Sequence, residues 1–227
     1  MFKYDLIIKN VLASRHSKNI SDLISDKLNK AVKKNKKYVS AAILFPLIER
    51  KNNINVILTK RSEFMSDHPG QVCFPGGKYD SKDKTMENCA KREAMEEIGL
   101  KSDHIRILGE LDKCFTGTGF KIAPVIASVS SNYIPQIDKS EVSEVFEVPL
   151  KFLINYKNRH IVSSKYEGIK YCFYEYYWKN KKIWGSTAKI IVNFCDIVKK
   201  DLNVWYKYWD NQMTAYIIRF LPVIIII

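Results

Sequence analysis

Glu93, Glu96 and Glu97 stand at i, i+3 and i+4 in the run Arg92-Glu93-Ala94-Met95-Glu96-Glu97-Ile98-Gly99-Leu100. On a helix that spacing puts the carboxylates on one face. Carboxylates this close repel one another, and a divalent cation is the usual compensation. Hard oxygen donors suit Mg²⁺ or Mn²⁺. A solvated acidic face is the plainer reading of such a helix, so the flanking residues decide. Upstream lies Gly76-Gly77-Lys78-Tyr79-Asp80-Ser81-Lys82-Asp83. Its glycines let the backbone come close, so a Gly77 carbonyl can join a metal shell. Arg92 precedes Glu96 by one turn and can pair with it, or hold an acid from the loop.

These groups need elements to position them. Asp83 or Thr85 can cap a helix start, because a short side-chain oxygen accepts an orphan N–H there. Gly99 can close the helix in a left-handed turn, with Leu100 packing back. Ala90, Ala94 and Ile98 recur at i, i+4 and i+8, and Met86 extends the row. That apolar stripe faces a core and leaves the glutamates on the opposite side, beside the Gly76-Gly77 loop. The patterns predict helices over 18–34, 84–98 and 186–198. They predict strands at Ser40–Leu47, Asn55–Thr59, Arg106–Leu111, Ile122–Ser128 and Ile169–Tyr177, with a further run from Gln71 to Phe74. His68 and Pro69 read as a turn, and Arg61, at a strand end, can reach an anionic ligand. Strands interleaved with few helices make an α/β layered domain.

The segment resembles the box of Nudix hydrolases: a glycine, a spaced acid, then Arg-Glu-x-x-Glu-Glu-x-Gly. The match from Arg92 to Leu100 is full. Asp83 stands six residues after Gly77, where a glutamate is usual, and eight residues rather than seven separate it from Arg92. That expansion, with Asp80 and Asp83, is similar to the coenzyme A pyrophosphatase subgroup. Ile57-Leu58-Thr59-Lys60-Arg61-Ser62, then Gly70, then Phe74-Pro75-Gly76-Gly77 resemble the subgroup's own signature at every fixed spacing. One position departs, since Ser66 stands where the signature has its second arginine. Lys60 or Lys78 can supply charge there, but a point charge does not reproduce a bidentate phosphate contact. Thr116–Val125, Glu141–Leu150 and Ile183–Ile190 resemble further subgroup segments, so the likeness spans about Tyr38 to Phe194.

The resemblance implies a Nudix fold, a mixed β-sheet sandwiched between α-helices. It implies Mg²⁺ or Mn²⁺ held by Glu93, Glu96, Glu97 and Gly77, with Arg92 orienting the carboxylates and Glu141 as a base or extra ligand. Substrate contacts would come from Arg61, Ser62, Gly70, Phe74, Gly76 and Gly77. The implied reaction is hydrolysis of coenzyme A or its acyl esters to 3′,5′-ADP and (acyl-)4′-phosphopantetheine. The same chemistry on ADP-ribose, a dinucleotide or a capped RNA end is the alternative. A non-enzymatic nucleotide-sensing module would be marked by lost box carboxylates, and all of them are present.

Composition sets outer bounds. The chain's 227 residues suffice for one domain with a sizeable core. The expected organisation is a helical extension over 1–37, the catalytic domain over 38–200, and an aromatic and apolar tail over 201–227. Cysteines at 73, 89, 114, 172 and 195 show no metal-ligand spacing, and no histidine constellation supports a catalytic thiol. An odd count and no secretion signal point to reduced thiols and a cytoplasmic setting. The formal charge is +13, much of it from Lys30, Lys33, Lys34, Lys36 and Lys37. Such a run usually coats a solvated face, and no RNA-binding signature accompanies it. Small-molecule substrates are therefore expected, rather than nucleic acid or membrane partners. The stretch from Ala215 to Ile227 is too short to span a bilayer, and Arg219 and Pro222 interrupt it.

Overall fold

The computed structural model describes residues 37–51, 53–166 and 169–210. The helix expected over 18–34, most of the 1–37 extension and residues 211–227 of the tail lie outside the described residues.

The centre of the molecule is strand β1 (Val39–Arg50), a run of apolar residues buried on both faces. Period two splits its side chains between two cores. Ile43, Phe45 and Leu47 point to one, and Ala42, Leu44 and Ile48 to the other. Strand β2 (Asn53–Arg61) pairs antiparallel with β1, and β7 (Phe120–Val129) pairs parallel with it. With β3 (Val72–Cys73), β4 (Gly76–Lys78), β5 (Ile105–Glu110), β6 (Cys114–Phe115) and β8 (Val142–Pro149), these form a mixed eight-stranded sheet. The main path runs β3-β2-β1-β7-β5, with β4 on β1, β6 on β7 and β8 on β2.

Helix α1 (Met86–Ile98) covers one face of this sheet. Alanines line the contact from both sides, with Ala90 and Ala94 against Ala42, Ala123 and Ala127. Small side chains bring helix and sheet close together, which fixes the height of the α1 glutamates over the sheet. The opposite face carries larger residues. Phe45 packs on Phe74 and Phe194 with ring centroids 4.7 and 4.6 Å apart. This core is completed by α2 (Leu150–Ile154), by a three-stranded antiparallel sheet β9 (His160–Tyr166), β10 (Ile169–Trp178) and β11 (Lys181–Trp184), and by α3 (Gly185–Asp210). The α/β expectation is met, with the main sheet between α1 on one side and α2 and α3 on the other.

Each expected strand and the two expected helices within the described residues are present, with ends moved by a few residues except at the C-terminal end of α3. Strands β4, β6, β8, β9 and β11 and helix α2 were not foreseen. Helix α3 continues to Asp210, so the boundary expected at 200 falls inside it. Among the described residues no helix is long and apolar enough to cross a membrane.

Candidate active site

Helix α1 is set by its two ends. Thr85 is the N-cap and its hydroxyl accepts the Asn88 N–H at 3.1 Å. Gly99 closes the helix at φ 66°, and the Leu100 N–H reaches back to the Ala94 carbonyl at 3.2 Å while its side chain is fully buried. Asp83 lies just upstream in a short 3₁₀ turn, Ser81–Asp83, closed by a capping box with Asp80.

Arg92 is the hub of the acidic face. Its Nε and one terminal nitrogen grip Asp83 at 2.7 and 3.1 Å. The other terminal nitrogen lies 2.9 Å from Glu93 and 2.8 Å from Glu96. A further hydrogen bond of 3.1 Å to the Lys78 carbonyl ties the helix to the glycine loop. The bidentate guanidinium holds the buried Asp83 carboxyl down at about 2, so it is an anion at all ordinary pH. Both pairings open to Arg92 in the sequence, with Glu96 and with a loop acid, are made together.

The three glutamates are not equivalent. The side chain of Glu96 is 56% exposed and that of Glu93 13%, while Glu97 as a whole residue is 3% exposed. At about 100° per residue, Glu97 falls nearest the Ala90–Ala94–Ile98 stripe, Glu93 next and Glu96 farthest, so burial follows the helical wheel. The expectation that all three line the side opposite the stripe is corrected for Glu97, which lies under the glycine loop. Its Oε2 accepts the Gly76 N–H at 3.2 Å. Burial pushes the Glu97 carboxyl up to about 8, with the Gly76 N–H opposing and the charges of Glu93 and Glu141 adding to the rise. Burial also raises Glu93, against the pull of Arg92.

Gly77 leaves room for the Glu93 carboxylate, which a larger residue would push aside. A Cβ there would stand 2.6 Å from Glu93 Oε1, inside the van der Waals distance. Gly76 is the more strictly confined, since a Cβ would stand 2.6 Å from the Ile43 Cα of β1, which is backbone. The backbone of β4 therefore lies directly on the Glu93 and Glu97 carboxylates. Cys89, fully buried on α1, directs its thiol to the Lys78 carbonyl at 3.5 Å, and burial raises it to about 11.

The end of β2 supplies the other wall. The ladder with β8 shifts register between Lys60 and Arg61, which turns Arg61 at the strand end. The Arg61 Nε donates to the Asp67 carbonyl at 3.2 Å, and its N–H bonds the Gln71 carbonyl at 2.9 Å. Its charge favours ionisation of both Glu97 and Cys73, so it stands near them. Cys73 sits on β3 with its sulfur 3.2 Å from the Thr59 hydroxyl, and burial raises it to about 11. Sequence reasoning did not give Cys73 a place here; its pairing with Thr59 across β2 and β3 was the available signal.

Other expected residues have different surroundings. Ser62 is buried; its N–H donates to the Glu141 carbonyl at 2.8 Å, and its hydroxyl accepts the Phe64 N–H at 3.4 Å. Gly70, at φ 68°, turns the chain against the Glu63 carboxylate. Glu141 is exposed, near enough for its charge to act on Glu93 and Glu97. Phe74 is a correction. It is 2% exposed and packs on Phe45, in the core on the far side of the sheet, so it does not face the cleft. Ser66 is exposed, and Lys60 is engaged by Glu63 at 2.9 Å rather than replacing the signature's second arginine.

Among the described residues no three of His, Cys, Asp and Glu converge on one metal position, because Arg92 draws Glu93 and Glu96 to itself. The donors are hard oxygens, and the buried Glu97 carboxyl, strained as a bare charge, suits a cation. The donor chemistry thus fits a divalent ion.

A NUDIX domain model matches residues 37–166. An uncharacterized Nudix hydrolase, NudL, of Yersinia pestis (strain Pestoides F) is 34% identical over 151 residues, covering 66% of this chain and 75% of that protein. Among solved structures, a MutT/nudix family protein from Enterococcus faecalis has a TM-score of 0.48 at 15% identity, covering 88% of this chain and 76% of that one. A C. elegans Ap4A hydrolase has a TM-score of 0.43 at 18% identity, covering 49% of this chain and 80% of that one. By domain and relative, the chain belongs to the Nudix family and has its fold. It is a Nudix hydrolase, an enzyme acting on the pyrophosphate bonds of nucleoside diphosphate derivatives. Nudix enzymes generally use divalent metal ions such as Mg²⁺ or Mn²⁺.

Proposed function

We propose that the protein hydrolyses the diphosphate bond of coenzyme A or an acyl-coenzyme A, releasing 3′,5′-ADP and (acyl-)4′-phosphopantetheine. The observation that supports this reading is that the signature's Gly76-Gly77 lies against the acidic helix, with Gly77 against Glu93 and the Gly76 N–H on Glu97. Arg61, at the end of β2, acts on Glu97 of α1, while the Ser62 N–H holds the loop of Glu141 at the rim. The spacing of Arg61, Gly70 and Gly76-Gly77 is the subgroup signature noted above.

Glu93, Glu96 and Glu97, with the Gly77 carbonyl, would hold Mg²⁺ or Mn²⁺. When bound, the ion supplies neutralisation of the diphosphate and activation of water. The chain's own residues do the rest. Arg92 fixes the rotamers of Glu93 and Glu96 against Asp83, so the carboxylates meet their ligand already oriented. Arg61 steadies the anionic substrate opposite Glu97. Glu141, exposed and close enough for its charge to act on both glutamates, would take the proton of the attacking water. Phe74 has no role in substrate contact. We assign the catalytic unit to the chain from residue 38 through helix α3 and expect it to work in the cytoplasm.

The test is incubation of the purified protein with coenzyme A and Mn²⁺, with products separated chromatographically. Formation of 3′,5′-ADP is expected, and its absence sinks the assignment. A second reading rests on Ser66, whose hydroxyl cannot make the phosphate contact of an arginine. It places ADP-ribose, a dinucleotide or a capped RNA end in the same cleft. Turnover of one of these well above that of coenzyme A would select it.

A further inference from the structure

Strand β3 ends the main path of the eight-stranded sheet, and its ladder partner is β2. Val72 stands opposite Lys60, and the Arg61 N–H bonds the carbonyl of the preceding residue, Gln71, at 2.9 Å. Antiparallel hydrogen bonding alternates along a strand, so the Val72 carbonyl points away from β2. Val72 is buried, and a buried carbonyl left without a donor is costly. Its donor is the hydroxyl of Thr187, 3.2 Å away and 115 residues further along the chain.

Thr187 is itself buried, in the first turn of α3. Gly185, at φ 64°, turns the chain from β11 into that helix. Neighbouring contacts seat this corner on the main sheet. The Lys181 ammonium of β11 meets Glu144 of β8 at 2.7 Å, and Phe194 of α3 packs on Phe45 of β1. The NUDIX domain match ends at residue 166, so the donor to Val72 comes from chain beyond it.

The strand held in this way leads toward the site at both of its ends. On one side, the Gln71 carbonyl fixes the backbone of Arg61. On the other, the chain passes through buried Phe74 to Pro75, whose carbonyl takes the Leu44 N–H at 2.9 Å. Gly76 follows, with its N–H on Glu97 at 3.2 Å, and then Gly77 against Glu93. Strand β3 has only two residues, so its own ladder fixes it weakly.

We propose that Thr187 is a positioning residue of the active site: through the Val72 carbonyl its hydroxyl fixes β3, and with it the places of Arg61 and of the Gly76-Gly77 backbone. It acts through that backbone rather than on the substrate. The inference rests on the reading of Gly76-Gly77 and the α1 glutamates as the site of hydrolysis, and not on which diphosphate is cleaved there.

Thr187→Val keeps the shape of the side chain and removes the donor. Full-length wild type and variant are compared by amide hydrogen exchange, by calorimetric titration with Mn²⁺ alone and by steady-state kinetics, with circular dichroism melting to report folding. In the folded variant, exchange should quicken at Arg61 and Gly76, Mn²⁺ should bind more weakly, and kcat should fall about tenfold or more, since a shift well under 1 Å at the site is enough. Thr187→Ser, which keeps the hydroxyl, should restore all three. Val198→Ala removes buried volume from α3 about three turns further on and should lower the melting temperature without moving them. Thr187→Ala takes the place of the valine variant should that one fail to fold. Unchanged exchange and Mn²⁺ affinity in a folded variant overturn the proposal. So does a loss that Thr187→Ser fails to restore, or an equal loss in Val198→Ala, which would make the effect one of α3 packing. The exchange and Mn²⁺ measurements need no substrate, so they stand apart from the coenzyme A assay.

Discussion

Each carboxylate near Arg92 has its own environment, and that difference decides what its removal does. Glu97 is buried with one backbone N–H as partner, and burial disfavours its charge. Glu97→Gln keeps shape and removes that charge, so thermal stability should hold or rise. Turnover should fall ~10²-fold or more if a transition-state metal contact worth several kcal/mol is lost. Near-normal kcat in a folded Glu97→Gln would show that the metal site has been placed on the wrong residues. Asp83 behaves in the opposite way. Its folded value of about 2 lies below the ordinary 3.8, so its ion pair contributes stability that is complete above 3.8 and is lost as pH falls from 3.8 toward 2. Melting temperature followed down the acid limb should drop more steeply for wild type than for Asp83→Asn; parallel limbs would refute the linkage. The i, i+4 spacing made the Arg92–Glu96 pair legible in the sequence. The burial of Glu97 was not legible, because it depends on which helix edge the β4 loop covers. Phe74 was misread because membership of a motif does not say which face of the sheet a residue takes.

The ends of α1 were readable because capping is local chemistry. Thr85 and Gly99 act through their own backbone and side-chain atoms, whatever the tertiary fold. Thr85→Ala should cost about 1 kcal/mol by stripping an N–H of its acceptor. Gly99→Ala should cost at least as much, since the residue is left-handed at φ 66° and its Cβ would stand 2.7 Å from the Gln136 Cβ. Chemical denaturation of both variants is the measurement, and a Gly99→Ala as stable as wild type would exclude the tight turn. Strands β9 and β11 were illegible for the complementary reason. Strand β11 has four residues, Lys181–Trp184, and two of them are lysines. Its place is set by a two-residue hairpin turn from β10, Lys179-Asn180, which lacks the glycine that marks such turns in a sequence, and by the non-local Lys181–Glu144 contact of 2.7 Å. Strand β8 hides behind a half-buried face with little alternation.

Across the whole molecule, the main sheet separates two cores of different texture, and only one bears on the cleft. The parallel partnership of β1 and β7 and the alternation along β1 send large residues to the α3 side and small ones to the α1 side. Stability and catalytic geometry should therefore come apart under mutation. Phe45 is fully buried against Phe74 and Phe194, so Phe45→Ala should lose ~3–5 kcal/mol from transfer and cavity terms. The α1 face of β1, with Ala42 and Leu44, is not altered by it, so the folded fraction should keep a near-normal kcat. Ala94 is fully buried on α1 among the alanines of the other core. Ala94→Val adds volume where helix and sheet are closest and should cost a smaller ~1–3 kcal/mol. It must lift α1 from the sheet, however, and with it Glu93 and Glu97 from the Gly76-Gly77 backbone that they touch. A shift on the order of 1 Å there is enough to lower turnover about a hundredfold. The expected pattern is a strongly destabilised but active Phe45→Ala beside a mildly destabilised and poorly active Ala94→Val, read by denaturation and by kcat corrected for folded protein. The reverse ranking of activities would mean that the close helix–sheet contact does not set the height of the carboxylates.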